Sequence, residues 1–389
     1  MYKYSNSFLI VIIIILAVFL VINPQASLEA ARDGISLWYT VLLPSLLPFF
    51  IVAELLVASG LVKFMGAVLE PVMRPIFRLP GCSSLVIVMG FTSGFPVGAI
   101  LSRRLYEDGL LTGEEAERLV SFTNNSSPLF IIGAVGAGLF GSPLLGYILA
   151  VAHYLSNLII GICLRFRSQE KTKSDYNNIL PRQAWREMQN ASANAGPGKL
   201  LSEAIKNSLN NIIAIAGFVI IFSVLTRMLL WWGIMDWIAR GFMCLMHMVH
   251  LPYSLAMGLG FGCFEISLGT RAVSLAPQGD LLYKMAAASS VLAFSGLSII
   301  AQITGVMAGT PFRAPFYLLI RLWQILLSIC ITVITFKILA GKEAFAVSAL
   351  SMHQILYSFD AWSISLSCLA TGAICLVLLM IYSWLRSST

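Results

Sequence analysis

Charge is what this chain has least of: Asp, Glu, Lys and Arg make up 11% of its 389 residues, against 58% hydrophobic. A soluble domain carries roughly 25% charged residues, so the composition excludes an ordinary soluble globule and points to a polytopic membrane protein. Paired cysteines are also lacking. The seven cysteines (82, 163, 244, 263, 330, 368 and 375) stand apart, mostly inside apolar runs, where they act as small hydrophobes. Neither a disulfide framework nor a zinc site is indicated, and no cofactor is expected. His247 and His250 are three residues apart with no further ligand set, and an interfacial helix face accounts for them better than a metal does. No His-Glu-x-x-His, no Gly-x-Ser-x-Gly and no paired aspartates in adjacent spans are found, which argues against an intramembrane enzyme. Basic runs interleaved with aromatics are missing as well, so no nucleic-acid partner is expected. The net charge of +7 is read as a topology signal in a lipid bilayer.

What the chain does have is a series of apolar runs. Residues 8–22 follow Lys3 without a break; a signal-peptide core and a short spanning helix look alike here. Gln25-Ala26-Ser27 is a poor cleavage site, and an uncleaved N-terminal transmembrane helix over residues 1–30 is expected. Residues 35–58 are a second span, with Pro44 and Pro48 predicting a kink. Residues 61–78 mix Lys63, Glu70, Arg74 and Arg78 with large apolar side chains, as an interfacial helix does. Spans over 119–139 and 144–165 complete a first repeat, residues 31–165. Residues 166–204 form a polar cytoplasmic linker, and a second repeat covers 205–340 with spans at 205–230, 285–305 and 315–338. Residues 231–252 read as interfacial. An interfacial segment (344–359) and a last span (363–385) occupy residues 341–389.

Two stretches stand out. Met89–Ala99 (MGFTSGFPVGA) and Gly258–Thr270 (GLGFGCFEISLGT) both open on Gly-Phe and close on Gly plus a small residue. Gly, Pro and Gly within five residues do not suit the middle of a straight span, but they suit the tip of a re-entrant hairpin that lines a cavity. Gly90-Phe91 matches Gly260-Phe261, Asn125-Ser126 matches Ser295-Gly296, and Gly141-Ser142-Pro143 matches Gly309-Thr310-Pro311, each about 170 residues apart. The expected fold is therefore all-α and polytopic, with about eight transmembrane helices plus two re-entrant helical hairpins in two repeats. Each half would cross an odd number of times, so the repeats would be inverted. With the N-terminus inside, Lys63, Arg74, Arg78, Arg103, Arg104, the linker cluster, Arg313 and Arg386 fall on the cytoplasmic side, which agrees with both termini being cytoplasmic.

Opposed hairpin tips present helix N-termini to a shared interior. They would bring Ser93, Gly94 and Pro96 towards Glu265, Ser267 and Thr270. The broken spans would add Asn124, Asn125, Ser126 and Ser127 from one half, and Ser295, Ser298 and Gln302 from the other. Glu265, an intramembrane carboxylate, is the sharpest candidate. It can serve as a hydrogen-bonding ligand, a site for a coupling cation or a proton carrier; the structural alternative is a hydrogen bond to the neighbouring hairpin. Arg103 and Arg271 each follow a hairpin and read as interface anchors first, as attractants for an anion second. Glu54 and Arg227 fall at similar places in the two halves, but inversion would put them on opposite sides, so they are not paired.

Gly-Phe-x-Ser-Gly-Phe-Pro-x-Gly in the first half, Phe264-Glu265-Ile266-Ser267-x-Gly269-Thr270 in the second and Thr123-Asn124-Asn125-Ser126-Ser127-Pro128 between them resemble the nucleoside-recognition (Gate) domain family. The likeness runs nearly the full length and is closest to a sporulation branch of the family from endospore-forming bacteria. The resemblance implies a fold similar to that of concentrative nucleoside transporters. It implies a small-molecule anion, dipicolinate, moved from the mother cell across the outer forespore membrane. A scaffolding membrane protein, a nucleoside-like solute and assembly as a homo-oligomer stand as alternatives or additions.

Overall fold

The computed structural model describes residues 2–59, 61–167, 196–246, 251–277 and 279–340. The expected segments 344–359 and 363–385, most of the 166–204 linker, His247, His250, Cys368 and Cys375 lie outside the described residues. Among the described residues every regular element is a helix. That follows from the composition, because a backbone in lipid must satisfy its own hydrogen bonds within each segment.

Helix α1 (Tyr2–Ile22) runs into Asn23, where the chain bends by 109° into α2 (Pro24–Leu37). Pro24 sits in the first turn, where its missing N–H is no loss. A π-helical turn, Trp38–Leu42, then leads into α3 (Leu43–Ala58). The Leu43 N–H reaches back five residues to the Trp38 carbonyl immediately before Pro44, so the wider turn falls where the ladder is about to lose a donor. The helix thus begins eleven or so residues ahead of the expected span at 35–58, and the prolines produce a π-turn within one continuous helical run.

Helix α4 (Leu61–Phe77) carries the Glu70–Arg74 pair at 2.5 Å, and Glu70 also accepts the Gly81 N–H. Its C-terminal carbonyls, Phe77 and Arg78, are met by the Arg118 guanidinium at 2.5 and 3.3 Å. The first hairpin is α5 (Ser83–Ser93) and α6 (Val97–Glu107), joined at Gly94-Phe95-Pro96 with a cis Phe95–Pro96 bond. Each arm has 11 residues, about 16 Å of helix, or half a bilayer core. Helix α7 (Gly113–Thr123) opens with a Thr112/Glu115 capping box and stops at Asn124; a π-helical segment (Leu129–Leu139) resumes after Pro128, and α8 (Pro143–Leu164) crosses back.

The second half presents elements of the same kinds in the same order. They are α9 (Pro197–Trp231), α10 (Ile234–Leu245), α11 (Tyr253–Phe264), α12 (Ile266–Leu275), α13 (Leu281–Phe294), α14 (Gly296–Val306) and α15 (Ala314–Ala340). Helix α9 starts inside the expected linker, at Pro197, and its first turns carry the linker's last polar residues, Lys199 and Glu203. Helices α11 and α12 fold back on each other: Gly258 faces Val273, and Gly262 faces Gly269. A Cβ on Gly269 would lie 2.3 Å from the Gly262 Cα, so two glycines are needed where the arms cross.

Four described helices are long and apolar enough to cross a bilayer: Pro143–Arg167, Gly198–Trp231, Leu281–Val306 and Ala314–Ile338; the bent pair Ile13–Ile22 and Pro24–Thr40 makes a fifth. The expected span at 119–139 is instead two half-length pieces. The halves are interlocked. One buried cluster joins the first hairpin (Leu85, Val86, Val97, Leu101) to Ile300, Ile303 and Tyr317 of the second half. The other joins Ile131, Val135 and Ile148 to Leu255, Val273 and Met285 around the second hairpin. Helices α2–α3 and α9 lie antiparallel. Asp33 pairs with Arg227, Trp38 Nε1 donates to the Ile212 carbonyl, and Glu54 accepts from Asn207, so positions rise on one helix as they fall on the other.

Candidate functional site

Both hairpin tips, the first helix break and the helix that follows the second break border one cavity of about 520 Å³. The first hairpin contributes Ser93, Gly94 and Phe95, and the first broken helix contributes Ser126, Ser127 and Leu129. The second hairpin adds Glu265, Ile266 and Ser267, and the second broken helix Ser298, Ile299 and Gln302. Thr40 and Pro44 of the α2–α3 run and Ile215 and Val219 of α9 close one wall.

The breaks are held together by close backbone approach. Gly94 has φ +90°, and a Cβ there would come within 3.0 Å of Ser127. Gly296 has φ +83°, and a Cβ there would meet the Phe264 carbonyl at 3.0 Å. In each half, therefore, a glycine docks the broken helix on its own hairpin tip, and only glycine fits both the conformation and the space.

The tips differ in their capping. Glu265, 9% exposed, is the N-cap of α12: its Oε2 accepts the Leu268 N–H at 2.7 Å. Its hydrogen bond goes to its own helix, because an extended residue ahead of a first turn is placed to cap that turn. Val97, the first residue of α6, has no side-chain cap behind it. Ser127 Oγ accepts the Phe130 N–H at 3.3 Å, and Ser295, with φ +72°, caps no N–H of α14.

Five expected site residues lie off the cavity. Asn124 donates to the Tyr317 hydroxyl at 3.3 Å, and Asn125 donates to the Phe122 carbonyl at 3.2 Å. The Asn125 amide thus meets the carbonyl end that α7 leaves when it stops, and the Asn124 amide reaches across to α15. Thr270 donates to the Ile266 carbonyl at 2.9 Å, Ser295 donates to the Leu292 carbonyl at 3.3 Å, and Pro96 lies behind the Gly94–Phe95 rim. Ser93 and Ser126 are buried, and their hydroxyls have no partner among the described residues.

A layer behind the cavity escaped the sequence reading. His153 Nε2 accepts the Ser126 N–H at 3.2 Å, which places the proton of a neutral ring on Nδ1, and the Tyr154 hydroxyl donates to the Ser126 carbonyl at 2.8 Å. Helix α15 turns a polar face inward: Tyr317, Arg321, Gln324, Ser328 and Thr332 are fully buried, while Leu319, Leu322, Trp323 and Leu326 are exposed. Ser289 joins this face through Ser328 at 2.7 Å and Thr332 at 2.8 Å. The 4-3-4-4 spacing of those inward residues was the signal that identifies them.

Further cavities lie along α9 on either side of the central one. One of about 470 Å³ is bordered by Glu54, Arg103, Glu107, Asn207 and Asn211; one of about 400 Å³ by Asp33, Ser223, Arg227 and Arg271. Asn207, Asn211, Ile215, Val219, Ser223, Thr226 and Leu230 share one face of α9 and border these cavities in order. Arg103 pairs with Glu107 at 2.7 Å and donates to the Val306 carbonyl at 2.7 Å; Arg271 borders the opposite cavity. Glu54 and Arg227 border different cavities with different partners.

Residues 39–143 match the family model described as Gate, nucleoside recognition. The chain is 33% identical over 94 residues to the inner membrane protein YjiG of Escherichia coli (strain K12), which is 24% of this chain and 60% of that one. It is 41% identical over 309 residues to the sporulation integral membrane protein YlbJ of Bacillus subtilis (strain 168), covering 78% of this chain and 76% of that relative. With its apolar spans and a Gate domain in its first half, this multi-pass integral membrane protein belongs to the YlbJ family of sporulation membrane proteins.

Proposed function

We propose that the protein is a transporter, not an enzyme, and that the central cavity holds a small polar anion on its way across the membrane. The observation that carries this reading is the convergence of both hairpin tips, the first helix break and the helix that follows the second break on one cavity of about 520 Å³. That volume is of the order of small-molecule sites, and half-helix ends around a mid-membrane cavity are how secondary transporters bind solutes. The antiparallel run of α2–α3 against α9, elements at matching places in the two halves, supports inverted repeats. From Asn207 to Leu230, α9 rises about 35 Å, roughly the hydrocarbon thickness, so its cavity-bordering face supports a route from one side to the other.

The solute on this reading is dipicolinate, moved from the mother cell across the outer forespore membrane; of this, the relative's name supplies the sporulation context alone. Ser93, Ser126, Ser127 and Ser298 offer hydroxyls to its carboxylates. Glu265 takes a coupling cation, which offsets its charge beside a dianion. The Gate match favours a second reading, a nucleoside-like solute at the same cavity.

Flux of dipicolinate and of uridine into proteoliposomes tests both. Dipicolinate flux by the intact protein, cut about tenfold or more by Ser127→Ala and by Glu265→Gln, is expected. Uridine flux alone moves the assignment to the second reading. Transport of neither solute by well-folded protein overturns both and leaves a scaffold.

A further inference from the structure

Arg321, about two turns into α15, is buried to 0% exposure, yet no carboxylate lies within ion-pair distance of it among the described residues. Its Nη2 donates to the Ser121 carbonyl, its Nη1 to the Asn124 carbonyl at 3.5 Å, and its guanidinium lies 4.7 Å from the Tyr317 ring centroid. Its Nε–H has no partner among the described residues. A guanidinium in a membrane interior is expensive unless its charge is used or compensated.

The two broken helices make the use of that charge visible. In each, one helix ends where another begins, so the negative end of one dipole faces the positive end of the next. In the first half, Arg321 sits on the negative end, at the last carbonyls of α7, and puts a positive charge behind the helix start at Ser127, where only a neutral hydroxyl caps the Phe130 N–H. In the second half the carbonyl end of α13 meets only the Ser295 hydroxyl, and the neighbouring charge is Glu265. The cavity is thus polarised, positive towards the first-half break and negative towards the second hairpin.

We propose that Arg321 is the charge-selecting residue of the central site: a positioning residue that reaches the solute through the Asn124–Ser127 break and makes that side receive the anionic group. This rests on the reading of the cavity as the solute site.

The test compares binding of pyridine-2,6-dicarboxylate with that of its neutral isostere, pyridine-2,6-dicarboxamide, by purified full-length protein. Wild-type protein is expected to prefer the dicarboxylate. Arg321→Gln is expected to lower dicarboxylate affinity at least about tenfold and to leave the diamide within about threefold, while Arg321→Lys keeps most of the preference. A structural cap alone would lower both ligands together, and that outcome overturns the proposal. Should Arg321→Gln not fold, the same ratio is read on Arg321→Lys and on wild type, where a preference for the diamide overturns it without any variant. Binding of neither ligand by wild type defeats the solute-site reading itself, an outcome distinct from loss of selectivity.

Discussion

The two hairpin tips do the same topological work with opposite chemistry. The first turns through Gly94-Phe95-Pro96, carries no charge, and begins its second arm without a side-chain cap. The second turns at the single residue Glu265, whose carboxylate caps its own helix. At the second tip a side chain meets a donor of the helix that follows, whereas at the first the backbone does so, Val97 donating to the Gly94 carbonyl at 3.1 Å. The two tips are therefore not interchangeable: the second brings a carboxylate to the cavity and the first brings none.

The largest break in this comparison should come from the glycines. Gly269→Ala places a methyl 2.3 Å from the Gly262 Cα, inside the second hairpin, and should cost more than about 3 kcal/mol, read as loss of monodisperse protein after extraction. In the first hairpin the tightest approach is instead to the neighbouring broken helix, Gly90 against the Thr123 carbonyl, so Gly90→Ala should separate hairpin from helix with a similar loss. Next come the polar residues behind the breaks. His153→Ala leaves the buried Ser126 N–H without an acceptor and should destabilise by about 1–3 kcal/mol in thermal unfolding. Gln324, at the matching place in α15, has neither amide atom partnered among the described residues, and Gln324→Leu should be neutral or mildly stabilising. A matching loss in both variants would erase the difference between halves.

Glu265→Gln keeps an acceptor for Leu268 and should lower stability by less than about 1 kcal/mol, while abolishing any cation dependence of ligand binding. Retained cation dependence would place the cation elsewhere. The smallest effect belongs to Asp33→Asn, which removes an ion pair at 3.2 Å between partners 40% and 71% exposed; the change should stay within about 0.5 kcal/mol.

The hairpins and breaks could be read from the sequence because glycine, proline and runs of small polar residues are costly inside a membrane helix, and their positions are where the helices stop. The inward face of α15 could not be seen in the same way. Hydropathy averaged over a window hides Arg321 and Gln324 among Leu319, Leu322, Trp323 and Leu326, although their spacing puts them on one side. Asn124 and Asn125 looked like ligands because they stand together at a break. Composition cannot tell an amide that faces a cavity from one that satisfies the end of its own helix, as Asn125 does at the Phe122 carbonyl.

The inside-out character of α15 also bears on how the protein is made. An arginine at a span's centre raises the cost of inserting the helix by about 2.5–3.5 kcal/mol on insertion scales, an upper bound for Arg321 about two turns in. The carbonyls that receive Arg321, Ser121 and Asn124, lie 200 and 197 residues earlier in the chain. Synthesis from the N-terminus therefore delivers the acceptors to the bilayer before the cation emerges from the ribosome. The last helix of the second half enters a membrane where its counterpart is already in place, and the first half acts as the template on which the second is assembled.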